Sequence, residues 1–386
     1  MRSLTVLLLL VLAAGLVALL GFPRIDDMIN RVTTAPVDVQ GPALALHDSL
    51  WIADFHNDAL LWNRGLLERH GRGHVDLPRL QDGGVDLAVF SASTRFHATS
   101  SYTRTLPFLD ILPVVAIASG WPRAAWFDPY QRALFMARTL HRDARGSGGR
   151  MRVITSRAAL DSLASDQAAG ARVTGAVLLL EGMHAADGQL ARVDSLFAAG
   201  YRIFGMAHMF DNDVAGSAQG WHKGGLTPFG RQVVARIDSL GGIIDLAHAS
   251  AATIDDVLAL TSRPVVVSHT GLTSTCPGPR NISDDVVTRV ATRGGVIAIG
   301  FWSRAVCGKD AAAVARAIHH AIEVAGDEHV ALGSDFDGGV GEPFDAAHMA
   351  MLTQALMDEG LTDRQIRRVM GENERAFLRI MLPASP

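Results

Sequence analysis

Eight short apolar runs alternate with longer amphipathic stretches along most of this chain, and few folds accept that pattern. The runs are Trp51–Phe55, Asp86–Ser91, Val177–Leu180, Tyr201–Met206, Gly242–Leu246, Pro264–Val267, Gly295–Gly300 and Val330–Gly333. Helical spacing marks Arg157–Gln167, Pro228–Leu240, Ala252–Leu260, Ser283–Thr292, Ala311–Ala325 and Thr362–Gly371. Ser283-Asp284 and Thr362-Asp363 read as helix N-caps, where a short polar side chain accepts from an orphan amide of the first turn. A strand apolar at nearly every position has to be covered on both faces, which a parallel sheet with helical crossovers provides. The expected class is therefore α/β, a (β/α)8 TIM-like barrel, with a doubly wound sheet as the lesser alternative. At 386 residues, 48% of them hydrophobic, the chain can bury one large core, and its 38 glycines suit many short strand–helix turns. There is no internal repeat, and Arg145–Arg150 (RGSGGR) reads as a flexible loop.

The N-terminus adds a second constraint. After Arg2, an almost unbroken apolar run extends from Leu4 to Phe22, close to the roughly 20 residues that cross a bilayer. It is expected to be a signal anchor, or a signal peptide cleaved near Ala13-Ala14-Gly15, and either places the domain outside the cytoplasm. Residues 1–24 are thus assigned to the leader, 25–47 to a linker and lead-in, and 48–386 to the barrel. A net charge of −4 offers no basic footprint for nucleic acid, so the expected partner is a small molecule. Two cysteines, Cys276 and Cys307, cannot make a cysteine-based metal site, although they could form one disulfide. Any metal has to be held by imidazole and carboxylate.

The apolar runs end in such groups. A parallel barrel gathers its strand ends on one face, so residues distant in sequence converge there. His56 and Asp58 follow the first run two apart, on one side of a continuing strand. Glu181 emerges from VLLL, and a carboxylate leaving a buried strand needs a cation or several donors. His248 (IIDLAHAS) and His269 (PVVVSHTG) repeat the arrangement with neutral imidazole, the commonest metal ligand. The set suggests one ion on His56, Asp58 and Glu181 and a second on Glu181, His248 and His269, with open positions for a bridging hydroxide. Asp335, in GSDFDGG, is placed to take a proton from metal-bound water, with Asp337 as fallback or as a turn cap. His208 could donate to a substrate carbonyl or be a packed histidine. Arg280 could clamp a carboxylate or be a solvated loop arginine. The pattern reads as a two-metal hydrolase.

Several long segments carry a further likeness: DFHND, LLLEGMH, HMFDND, GLTPFGRQVVARIDSLGGIIDLAHAS, PVVVSHTGLTSTCPGPRNISDD, GSDFDGG and GENERAFLRI. In order and spacing they resemble the membrane (renal-type) dipeptidase family of zinc peptidases, in the amidohydrolase-like superfamily, from about Trp51 to the C-terminus. The resemblance implies a (β/α)8 barrel, two Zn2+ per chain, and hydrolysis of dipeptides with tolerance of a C-terminal D-residue. It puts the metal ligands on His56, Asp58, bridging Glu181, His248 and His269, and the catalytic aspartate on Asp335. The carbonyl-facing histidine falls on His208 and the carboxylate-binding arginine on Arg280. It also implies a Cys276–Cys307 disulfide and a homodimer. Two departures stand out: Met183 occupies a position where the family usually has glycine, which bears on the pocket wall, and the tryptophan expected after the histidine is missing unless Trp221 replaces it. Another amidohydrolase, such as a lactonase or small-amide deacylase, would have no need of Arg280. A non-catalytic metal-binding barrel would have lost a ligand or Asp335, and none is missing.

Overall fold

The computed structural model describes residues 21, 23–97 and 103–385. Leu4 to Leu20 of the leader lie outside the described residues, among which no helix is long and apolar enough to cross a membrane.

Nine parallel strands form one sheet: β1 (Ile52–Asn57), β2 (Val85–Ser93), β3 (Met151–Val153), β4 (Thr174–Glu181), β5 (Tyr201–Gly205), β6 (Ile243–Asp245), β7 (Val266–Thr270), β8 (Val296–Ile299) and β9 (Val330–Leu332). Eight of them run in the order β1-β2-β4-β5-β6-β7-β8-β9, and a parallel bridge between Asn57 and Phe336 brings the last back to the first. Asp58 N–H donates to Phe336 O (2.8 Å) and Asp335 N–H to His56 O (3.1 Å) across that seam. The result is the expected TIM-like barrel, and each of the eight apolar runs contributes one strand.

Alternate residues of the strands fall into two apolar clusters. Ala53, Val89, Val177, Leu179, Ile203, Ile243, Val266, Ala298 and Ala331 come from all round the ring and pack together as the barrel interior, closed by Phe377, Leu378 and Met381 of the C-terminal helix. Their neighbours Ala88, Leu178, Leu180, Phe204, Ile244, Val267, Ile297 and Leu332 face the surrounding helices. Both faces of the eight ring strands are thus largely dry, which is why these segments read as continuous apolar runs and not as alternating ones. The expected caps hold: Ser283 accepts from Val286 N–H, and Thr362 and Gln365 make a capping box.

Three details differ from the sequence reading. Arg145 and Gly146 close an 18-residue helix, Pro129–Gly146, started by Asp128 with proline in the first turn. β3 follows it and covers the β4 edge only over Thr174–Ala176, before β5 takes that edge from Leu178; a three-residue strand with Arg152 at its centre leaves little periodicity to detect. The helix expected over Thr362–Gly371 breaks near Gly371, whose backbone lies so close to β1 that a Cβ would meet Trp51 O at 2.3 Å. The 25–47 segment is docked on the barrel. Asp26 is buried against Arg64 and Arg72 (both 2.8 Å), and the helix Gly41–His47 buries Leu46 and sets His47 Nδ1 2.9 Å from Thr353 Oγ1.

Candidate metal centre

Glu181, the last residue of β4, is the hub of the strand-end cluster. Its Oε1 lies 3.5 Å from His56 Nε2, 3.2 Å from His248 Nε2 and 3.6 Å from His269 Nε2, and its Oε2 lies 3.6 Å from His208 Nε2. His56 Nε2 is also 3.5 Å from Asp58 Oδ2, and the His248 and His269 Nε2 atoms are 2.9 Å apart. His56, Asp58 and Asp335 form a further group whose ligand atoms lie within 4.8 Å of one another. Seven of the residues singled out in the sequence, His56, Asp58, Glu181, His208, His248, His269 and Asp335, are therefore in one place. They come together because each sits at or just past the carboxyl end of β1, β4, β5, β6, β7 or β9.

The strand exits are sharply turned. His248 (φ 60°) and Asp335 (φ 66°) adopt left-handed backbone without being glycine, a conformation that costs energy and recurs at functional sites. Gly182 makes the turn after the hub (φ 81°), where a Cβ would stand 2.8 Å from His184 Nδ1 and 3.0 Å from His208 Cβ.

The electrostatics call for a cation. Asp58, Glu181 and Asp335 are three carboxyl groups in a water-poor site. Burial pushes Glu181 well above the usual carboxylate range, with Asp58 adding to the rise, and burial pushes Asp335 up to about 7. Burial lowers the affinity of His56 for a proton, but Glu181, Asp58 and Asp335 outweigh it and hold the ring up at about 10. His248 and His269 go the other way: burial and neighbouring positive groups keep both neutral, the form that binds a metal. His56 Nε2 and Asp58 Oδ1 are buried with no hydrogen-bond partner, as expected of ligand atoms. The residues present fit a site for divalent metal.

A second layer fixes the rings. His248 Nδ1 donates to Gln219 Oε1 (2.8 Å), and His269 Nδ1 donates to Ser268 Oγ (3.0 Å), which in turn donates to Asp245 Oδ2 (2.7 Å). In both rings the lone pair of Nε2 is left toward Glu181. The Asp245–Ser268 pair has a counterpart across the barrel, where Asp54 accepts from Ser334 N–H (2.7 Å) and Ser334 Oγ–H (2.6 Å). Each pair ties the strand bearing one site residue to the residue just before another: Asp245 to His269, and Asp54, two before His56, to Asp335. Sequence reasoning passes over these aspartates because a buried Asp before a histidine reads as part of the same motif.

Asp58, Glu181, His208, His248, Arg280 and Asp335 line a narrow cleft walled by Phe96, Met209, Trp302 and Val340. A larger cavity near Arg95, Asp110 and Asp213 holds none of the converging ligand atoms, so size alone does not mark the site. Arg280 is buried, its Nη2 donates to His269 O (2.9 Å), and its Cζ lies 5.8 Å from the Trp302 ring. Asp337 points elsewhere. It accepts from His74 N–H (2.8 Å) and Val75 N–H (3.2 Å) and pairs with Arg64; burial pushes its carboxyl up, but Arg64 and His74 bring it below the usual range. It is a structural anchor, and Asp337→Ala, by leaving the buried Arg64 guanidinium without one of its partners, is expected to lower stability by about 3–5 kcal/mol in urea unfolding. Met183 is fully buried in the helix-facing core and does not line the cleft. Trp221 is exposed beside Arg104 and does not line the cleft, whereas Met209, directly after His208, does.

A family model described as membrane dipeptidase (peptidase family M19) matches residues 42–384. The chain belongs to that family. It is 33% identical over 226 residues to an uncharacterized dipeptidase of Schizosaccharomyces pombe, a match that spans 54% of this chain and about half the length of that relative (54%). Among solved structures, a family M19 dipeptidase superposes with a TM-score of 0.73 at 25% identity, over 86% of this chain and 99% of that one. A metallopeptidase of Rhodobacter sphaeroides, crystallised with a phosphinate mimic of the dipeptide L-Ala-D-Ala, also gives 0.73, at 24% identity and with the same coverage. The disulfide implied by the family likeness is formed between Cys276 and Cys307, with Cα atoms 5.3 Å apart.

Proposed function

We propose that this protein is a metal-dependent dipeptidase with two zinc ions, one held by His56, Asp58 and Glu181 and the other by Glu181, His248 and His269. The observation that carries this reading is the convergence of four imidazole Nε2 atoms on one buried carboxylate, Glu181, within 3.2–3.6 Å. Family membership and the dipeptidase name of the yeast relative support it. When bound, the ions would polarise the scissile carbonyl and lower the pKa of water toward neutral.

The chain's own residues would do the rest. Asp335, whose carboxyl is raised in the metal-free site by burial with Asp58 adding, would take a proton from the attacking water and hand it to the departing amine. His208 would meet the carbonyl oxygen through Nε2–H. Its Nδ1 lies 3.0 Å from Arg95 O and 3.1 Å from Ser93 Oγ. Arg95 O can only accept, so a neutral ring that donates from Nε2 has to give up the Nδ1–H···O contact with Arg95 and take the Ser93 hydroxyl as donor to Nδ1 instead. Arg280 would hold the free C-terminal carboxylate in the cleft, restricting substrates to short peptides. Tolerance of a C-terminal D-residue belongs to the same proposal and rests on family membership. We also place the domain outside the cytoplasm, on the strength of the Leu4–Phe22 run and of a disulfide, a bond kept in oxidising compartments.

The full chain is expected to cleave free L,L- and L,D-dipeptides and to cleave their C-terminal amides poorly. Arg280→Lys, which loses the planar two-pronged contact, should cut kcat/KM on free dipeptides by roughly 10- to 150-fold, mostly through KM, with metal content unchanged. Equal cleavage of the amides by wild type, or unchanged kcat/KM in the variant, would move a broader amidohydrolase reading ahead.

A further inference from the structure

The two loops that present Arg280 and Trp302 to the cleft are tied together by one side chain. Asn281 is buried, and its Nδ2 donates to Cys276 O (2.7 Å), Arg304 O (3.1 Å) and Ala305 O (3.2 Å). The first acceptor is in its own loop, after β7; the other two are in the loop after β8. The Cys276–Cys307 disulfide spans the same gap. Contact is close at the backbone too, since a Cβ on Gly271 would stand 2.0 Å from Ala305 O and 2.7 Å from Asn281 Nδ2. Asn281 does not line the catalytic cleft but a separate cavity beside the disulfide, and Arg280, its chain neighbour, borders both.

We propose that Asn281 is a positioning residue, which by tying the two loops sets the direction of the Arg280 guanidinium and so the affinity for a free C-terminal carboxylate. This rests on the reading of Arg280 given above. An amide NH2 has two protons for three carbonyl acceptors, so one proton is shared, and a carboxylate of the same shape would set oxygen against oxygen. The pair Arg280–Trp302 keeps its geometry only while both loops keep their register, and a small misplacement of a binding group is felt as lost affinity.

The test is steady-state kinetics of the metal-loaded full chain on a free dipeptide and on its C-terminal amide, with metal content measured alongside. Asn281→Ala should raise KM for the free dipeptide about tenfold, a fraction of what full loss of the clamp costs, leave kcat within about twofold and leave kcat/KM on the amide within about twofold. The double variant Cys276→Ser/Cys307→Ser should shift the same preference in the same direction, and it carries the comparison if Asn281→Ala does not fold. An unchanged KM, or an equal loss on the amide, overturns the proposal. Arg280→Lys run in parallel separates the two readings. If it too leaves KM unchanged, the carboxylate clamp itself is wrong; if it raises KM and Asn281→Ala does not, only the positioning role falls.

Discussion

Glu181→Gln is expected to abolish measurable dipeptide hydrolysis, a fall of about a thousandfold or more, while leaving a folded protein. Each of four rings is within 3.6 Å of this carboxylate, so replacing it removes the one group shared by both proposed ions. Lewis-acid stabilisation is worth several kcal/mol, and each 1.36 kcal/mol is a factor of about ten in rate. The sign of the stability effect separates this from misfolding. Without metal, Glu181 is a buried carboxyl pushed well up by burial and by Asp58, so a neutral amide of the same size should not weaken the metal-free fold. Wild type should gain melting temperature on adding zinc through mass action, and the variant should gain much less. Two ions per chain by metal analysis of Glu181→Gln, with undiminished turnover, would end the reading of Glu181 as the ligand shared by both ions.

Asp335→Asn should lower kcat by about a hundred- to ten-thousandfold with KM and metal content close to wild type, since a positioned general base contributes that range. The substitution suits the backbone: Asp335 sits at φ 66°, and asparagine is among the few residues that tolerate the left-handed region. Gly338 is part of the same design, because a Cβ there would stand 2.1 Å from Asp335 Oδ1. Pre-steady-state kinetics should show the loss in the chemical step. Retention of more than a tenth of wild-type kcat would assign the proton transfer to another group, and Asp337 would not be that group, since it is committed to Arg64 and to the His74 and Val75 amides.

The barrel and most of its site were legible in the amino-acid order for a physical reason. A strand buried on both faces has to be apolar throughout, and a polar residue that ends such a run has to be there for a purpose. The runs leading to His56, Glu181, His248 and His269 state both facts at once, and Asp335 follows VALGS in the same way. The least legible elements were those whose stability comes from contacts distant in sequence. β3 is too short to show a period, and the docking of Asp26 on Arg64 and Arg72 pairs residues 38 and 46 positions apart.

The contacts of four aspartates and two loops were decided only by the tertiary structure. Asp335 and Asp337 are two residues apart in one turn, both left-handed, and the sequence favours Asp335 only as the nearer to the strand; in the fold a guanidinium brought in by Arg64 takes Asp337, and the converging ligands surround Asp335. Asp54 and Asp245 are likewise assigned by serines on neighbouring strands. Amino-acid order determined which side chains would reach the barrel face, because strand period and chain direction are local properties. Which of them face one another, and which are spent holding the others in place, depends on closure of the ring and on loop-to-loop contacts such as Asn281 with Arg304 and Ala305, which no short stretch of chain encodes.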